Sequence, residues 1–222
     1  MNFDTLFFFE LFPDLIPFVP ITISMAVVAF IFAFIIGTLI AIVKIFNIPV
    51  LTQLLNIYVS FFRCTPLIAQ VFFFYYGLTT MIPELSSISP IAAFIFVDSL
   101  NEAAFMSETF RGAFNSVDKG QYEAALSVGM TEGKAIRRII FPQALRVAVP
   151  GLSNSFIGLI KSTAIGFTIG VLELMGQAQL IAASTYRVME SYVAVLIIYW
   201  VVVGLLVQLQ KVFEKNLSKG HQ

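Results

Sequence analysis

Glu123-Ala124-Ala125-Leu126-Ser127-Val128-Gly129, with Ile139 and then Phe141-Pro142 downstream, lies between apolar runs long enough to cross a bilayer. Gln121 to Val128 is helix-compatible and rich in Ala, and Gly129 is placed to end that helix in a left-handed cap. Thr131 can N-cap a second helix running to Phe141, which Pro142 closes. The spacing predicts a two-helix hairpin inside a polar loop, residues 115–148, presenting the small side chains of Ala124, Ala125 and Ser127. Small side chains let a partner's backbone come close, and Glu123 can pair with a basic group there. An amphipathic loop resting on the membrane is the other reading these residues allow.

The flanking sequence supplies the context. Hydrophobic residues make up 59% of the chain and charged residues 12%, against roughly 45–50% and about 25% in soluble domains. A chain so short of polar groups cannot cover its surface in water, which places it in the membrane class. Cys64 stands alone, so neither an intrachain disulfide nor a thiolate metal cluster is available. No Lys or Arg precedes the first apolar run, so a cleavable signal peptide fits poorly. Residues 1–14, with Phe7, Phe8, Phe9, Leu11 and Phe12, read as an interfacial segment lying on the membrane. Neither an internal repeat nor a soluble domain is evident, so the chain reads as one transmembrane domain.

Leu15 to Val43, Cys64 to Pro83 and Ser191 to Gln210 carry no charge, and each reaches the roughly 20 residues that cross about 30 Å of hydrocarbon. A third span, near Ser89 to Phe114, carries Asp98, Glu102 and Glu108; a fourth, near Val149 to Val171, carries Lys161. These two cross only if their charges face protein or water. The expectation is five helices. Arg111, Lys119, Lys134, Arg137, Arg138 and Arg146 crowd the long loop, and Lys211, Lys215 and Lys219 the tail, whereas the N-terminal segment has only acids. The positive-inside bias puts loop and tail in the cytoplasm and the N-terminus outside, with the single Arg187 against it.

The order Glu123-Ala124-Ala125, Gly129, Ile139, Pro142 resembles the EAA motif of ABC-importer permeases, with Phe141 where that family has Leu. Arg63-Cys64-Thr65-Pro66-Leu67 is similar to the Arg-Gly-Thr-Pro-Leu of polar amino-acid permeases, with Cys64 in place of Gly. Glu108-Thr109-Phe110-Arg111-Gly112, then Gly120-Gln121-Tyr122-Glu123, resembles that family's span-three exit, and Lys161-Ser162-Thr163 its span four. The resemblance covers nearly the whole chain.

It implies an all-α type I ABC-importer fold of five transmembrane helices with a cytoplasmic two-helix coupling loop, in the cell membrane. It implies a permease subunit for polar amino acids, working by alternating access with a second permease subunit, identical or related. Two ATP-binding-cassette subunits and an extracytoplasmic binding protein complete the expected assembly. Mg-ATP would belong to the ATPases; this chain is expected to be no enzyme, to hold no cofactor or metal, and to bind no nucleic acid. Gly158 to Thr163 is the one phosphate-loop lookalike, but it lacks the Gly before Lys161 and follows no strand. Lys161 to Glu173 looks nearest to cystine-type permeases.

Candidate residues follow. Glu123, Ala124, Ala125, Gly129 and Pro142 form the ATPase-coupling set. Glu102, beside Asn101, is placed to face the substrate cavity and take an amino group, or else to pair with Lys161 or Arg63 and hold helices together. Glu108 and Arg111 share a helix face and read as a clamp or gate, with Arg63 at the cytoplasmic start of span two in a similar role. The resemblance places substrate contacts near Ser162 and Thr163, beside Lys161. Gly and Thr there allow a broken helix, while Gly166 and Gly170 form a Gly-x-x-x-Gly spacing that permits close helix contact. The aromatic run Phe72 to Tyr76, Tyr199 and Trp200 read as packing, and His221 as solvated tail. A secondary carrier or a membrane scaffold are the rival classes. The first wants more spans or an inverted repeat, and the second no charges in its spans.

Overall fold

Proline and glycine decide where this helical chain bends. The computed structural model describes residues 3–218; Lys219 and His221 lie outside them. Every element of regular structure among the described residues is helical. In order, these are α1 (Thr5–Leu15), α2 (Val19–Ile45), α3 (Leu51–Cys64) and α4 (Leu67–Met81). There follow α5 (Pro90–Asn115), α6 (Lys119–Ser127), α7 (Glu132–Ala135), α8 (Phe141–Ser162), α9 (Leu174–Thr185) and α10 (Val188–Ser218).

Two runs cross a membrane by length and composition alone, Thr5–Ile45 and Val188–Val212. The bent pairs α3 with α4 and Glu132–Ile169 with α9 qualify when each is counted as one span. The 26 residues of α5 are about 39 Å long, long enough to cross, but with Asp98, Glu102, Glu108 and Arg111 this helix is not among those that qualify by length and composition.

Span two departs from the sequence expectation. It begins at Leu51, not Cys64, and α3 meets α4 at 109°. The cause is Pro66, which has no N–H to give the Phe62 carbonyl and forces an extended residue before it. Gln70 braces the corner by donating to the Thr65 side chain (2.8 Å) and carbonyl (3.2 Å). Arg63 therefore ends a helix instead of starting a span.

The chain packs as two compact units. The first, residues 3–31, 65–99 and 156–209, has two apolar cores. In one, Leu11 and Leu15 of α1 are buried with Leu174, Ala178, Ala194, Val195 and Ile198. The segment read as lying on the membrane thus has a protein face too among its described residues, through Leu11, while Leu6 and Phe9 remain exposed. The second core joins Met25, Val71, Phe94, Val97, Ile169 and Val171.

The other unit, residues 32–64, 100–155 and 210–218, packs Ile40, Val59 and Ala104 together. Gly151 of α8 runs so close to α5 that a Cβ there would lie 2.6 Å from the Thr109 methyl.

Candidate functional site

The hairpin forms where the sequence places it. Asp118 N-caps α6 by accepting from the Gly120 N–H (2.7 Å), and Gly129 stands at φ +82°, the left-handed cap. Glu123, Ala124 and Ser127 are exposed. Ala125 is not: at 3% exposure it is the residue by which α6 packs on its own chain. The presented surface is accordingly Ala124 and Ser127, with Glu123 beside a 730 Å³ cavity lined also by Phe46, Phe114 and Tyr122.

Pro142 does not close the second helix. Thr131 precedes α7 in an extended conformation, without a side-chain cap bond, and the helix runs on through Phe141 into α8. A π turn at Ile136–Ile140 absorbs the proline, since a wider turn tolerates the missing N–H that would break a regular helix. Gln143 donates to the Ile139 carbonyl (2.9 Å) across the same turn.

Three gate candidates gather in the second unit. Glu108 bonds Arg111 one turn on (2.6 Å) and Lys44 of α2 (2.5 Å), so one carboxylate holds two cations. Lys44 and Glu108 are only 10% and 18% exposed, which makes the loss of either partner costly, because the survivor is a half-buried lone charge. The Arg63 guanidinium carbon lies 5.5 Å from the Phe105 ring centre, within cation–π range. Arg63 and Glu108 line one cavity of 440 Å³ with Lys44, Asn56 and Ser60. Lys44 carried no role in the sequence reading, though a lysine at the end of an apolar run was the available signal.

Asn101 is 8% exposed and donates its amide to the Phe62 carbonyl (3.1 Å), to which Pro66 brings no N–H. Tyr58 returns the favour by donating to the Leu100 carbonyl (2.6 Å). Glu102, the next residue, is half-buried. None of the ion pairs among the described residues includes Glu102, Lys161 or Arg63.

Span four breaks in the first unit. α8 ends at Ser162, a 3₁₀ segment covers Thr163–Ile169, and Gly170 at φ +90° turns the chain toward α9. The Gly166–Gly170 pair is thus not a stripe on one α-helix: Gly170 supplies a left-handed turn, and Gly166 packs beneath Phe94 and Val171. Lys161 is exposed. Ser162 Oγ lies 2.8 Å from Asp98 Oδ2, and Asp98 is 2% exposed.

Thr163, fully buried, donates to the Ile160 carbonyl (2.9 Å) and sits 3.5 Å from Glu173 Oε2. Glu173 has no exposed surface. Burying a carboxylate costs several kcal/mol unless donors surround it, and here Thr22 (3.0 Å), Tyr199 (3.1 Å) and the Gly176 N–H (2.8 Å) do so. Tyr199 is therefore a hydrogen-bond donor as well as a packing residue.

Residues 33–219 match the family described as the binding-protein-dependent transport system inner membrane component. The chain belongs to this family. The permease is 47% identical to the probable amino-acid permease protein YxeN of Bacillus subtilis, over 97% of this chain and 96% of that one. It is 37% identical to the L-cystine transport system permease protein TcyL of the same organism, over 94% and 89%. Among solved structures, it superposes on a chain of an amino acid ABC transporter with histidines at a TM-score of 0.90 and 32% identity, covering 97% of the permease and all of that chain. A chain of the inward-facing MetNI methionine transporter shares the fold, at a TM-score of 0.77 and 23% identity, covering 94% and 98%.

The permease is accordingly a membrane-spanning transport subunit, not an enzyme, and a component of the inner membrane that works with ATPase and binding-protein partners. Two of its acids, Asp98 and Glu173, carried no role in the sequence reading. A lone carboxylate within an apolar stretch was the only signal for either.

Proposed function

We propose that this permease carries a polar amino acid across the membrane when ATPases bound to its hairpin change state. Its relatives YxeN and TcyL are described as an amino-acid permease and an L-cystine permease, and L-cystine is the substrate favoured. The observation that carries the reading is the exposed face of α6, Glu123, Ala124 and Ser127, capped by Gly129 and flanked by a cavity of its own. Such a face fits a groove on a soluble partner, because small side chains cost little to desolvate and leave room for close approach.

The complete importer has two permease subunits and two ATPases that bind Mg-ATP, fed by an extracytoplasmic binding protein. The N-terminus lies outside and the C-terminus in the cytoplasm. Ser162, braced by buried Asp98, exposed Lys161 and Glu102 contribute the polar contacts of the path, Lys161 meeting the carboxylate of the amino acid. Thr163 acts from behind Ser162, since its hydroxyl is spent on Ile160 and Glu173. Asn101, read from sequence as a substrate contact, serves the corner between α3 and α4 instead. Arg63, Glu108 and Arg111 form a gate. Transport follows if the helices have two packings, each favoured by a different partner contact.

The test is uptake into proteoliposomes containing the permease, its ATPase and its binding protein, with labelled L-cystine. ATP inside and binding protein outside must both be required. Uptake driven by a proton or sodium gradient without ATP contradicts the reading.

A further inference from the structure

Glu173 sits where span four stops being an α-helix, and four elements of one unit reach it. Thr22 comes from α2, Thr163 opens the 3₁₀ segment, Gly176 lies in the first turn of α9, and Tyr199 is on α10. Thr22 is doubly used, for its hydroxyl also accepts the Leu174 N–H (3.2 Å). No ion pair among the described residues includes Glu173. All of its identified donors are neutral.

An apolar side chain of similar size would fill the space without needing donors. A carboxylate does what such a side chain cannot: its two oxygens accept from several directions and fix the elements in one register. Oε1 starts α9 by capping the Gly176 N–H, while Oε2 gathers Thr22 and Tyr199 beside Thr163. The residue before Thr163 is Ser162, which leans on the second buried acid, Asp98. The end of α8 is thereby held between two carboxylates through two consecutive side chains.

We propose that Glu173 is a positioning residue of the transport path: it holds the break after α8 so that Ser162, braced by Asp98, meets the substrate in one fixed geometry. Glu173 does not itself touch substrate, being sealed from solvent. Only the transport readout of this proposal rests on the amino-acid reading above.

The test compares Glu173→Ala and Glu173→Gln in the full permease–ATPase complex with its binding protein, using labelled L-cystine as probe. The alanine variant should raise the KM for uptake about tenfold while the maximal rate stays within twofold. Glutamine keeps an acceptor for Gly176 and an amide that the hydroxyls can meet, so its KM should stay within threefold. Hydrogen exchange, which needs no substrate, should accelerate about tenfold in peptides covering residues 163–176 of the alanine variant and be unchanged over residues 119–140. If the alanine variant does not assemble, Thr22→Val combined with Tyr199→Phe should give the same split.

Unchanged KM and unchanged exchange in an assembled variant overturn the proposal. So does a parallel loss of rate and affinity with exchange raised throughout the chain, which marks a purely structural group. If the wild type imports no L-cystine, the substrate assignment falls and the exchange result alone decides: acceleration confined to 163–176 supports the proposal, and none refutes it.

Discussion

Asn101 donates its side-chain amide to the Phe62 carbonyl at 3.1 Å, and Pro66, four positions on, brings no N–H to that carbonyl. An amide in a transmembrane helix invites assignment as a ligand contact, yet here it completes the corner between α3 and α4. Asn101→Leu should lower the stability of the detergent-solubilised complex by about 0.5–1.5 kcal/mol, the net contribution of one hydrogen bond. Thermal unfolding checks this. A variant that keeps its midpoint but loses substrate affinity would return Asn101 to the binding site.

A second prediction concerns charge. Lys44→Met leaves Glu108 with Arg111 as its one ion-pair partner, whereas Glu108→Gln leaves Lys44, 10% exposed, with no ion pair. The glutamine variant should be the more damaging of the two, by an amount approaching the roughly 3–5 kcal/mol of breaking a buried pair. The Lys44→Met, Glu108→Gln double variant should recover part of that loss, since no lone ammonium remains. Unfolding midpoints of the three variants, run as a double-mutant cycle, give the coupling.

The two alanines of the hairpin should separate cleanly. Ala124 is exposed and Ala125 is 3% exposed. Ala124→Arg should abolish co-purification of the ATPase while leaving the permease's own unfolding midpoint within a degree or two. Ala125→Leu should do the reverse damage first, lowering the midpoint by overpacking worth about 1–3 kcal/mol. Pull-down and thermal unfolding on the same preparations decide it.

Close helix contact yields a rescue. A Cβ at Gly151 would sit 2.6 Å from the Thr109 methyl, so Gly151→Ala should destabilise the permease. Thr109→Ser removes the offending methyl, and the double variant should regain most of the loss. Unfolding midpoints that show additive damage would mean α5 and α8 do not pack this way.

Much of this architecture was legible in the chain. The apolar runs, the acids of span three and the Lys and Arg residues of the long loop gave the helices and their expected orientation. Gly129 announced its left-handed cap because few other residues adopt that backbone. What sequence could not give was the response of a helix to proline. Pro66 bends its span by 109°, while Pro142 is absorbed by a π turn without ending anything. In the first case Asn101, 39 residues on, bonds the carbonyl before the corner, while in the second Gln143 bonds Ile139 within the same helix.

The buried acids were hidden for the same reason. Asp98 and Glu173 look like any charge in a span until Ser162, Thr22 and Tyr199 are seen around them. Ala125 shows the limit of pattern reading in small motifs. Adjacent residues on a helix lie about 100° apart, so both alanines could face outward, and only packing shows that Ala125 turns in.

The most direct measurement is a crosslink. In a Cys64→Ser background, a cysteine at Ala124 should form a disulfide with a cysteine in the groove of the ATPase, in assembled, transport-active complex, with a yield that changes on adding Mg-ATP. A cysteine at Ala124 that never links to the ATPase in active complex, and is instead labelled by an impermeant maleimide from outside the cell, contradicts the account.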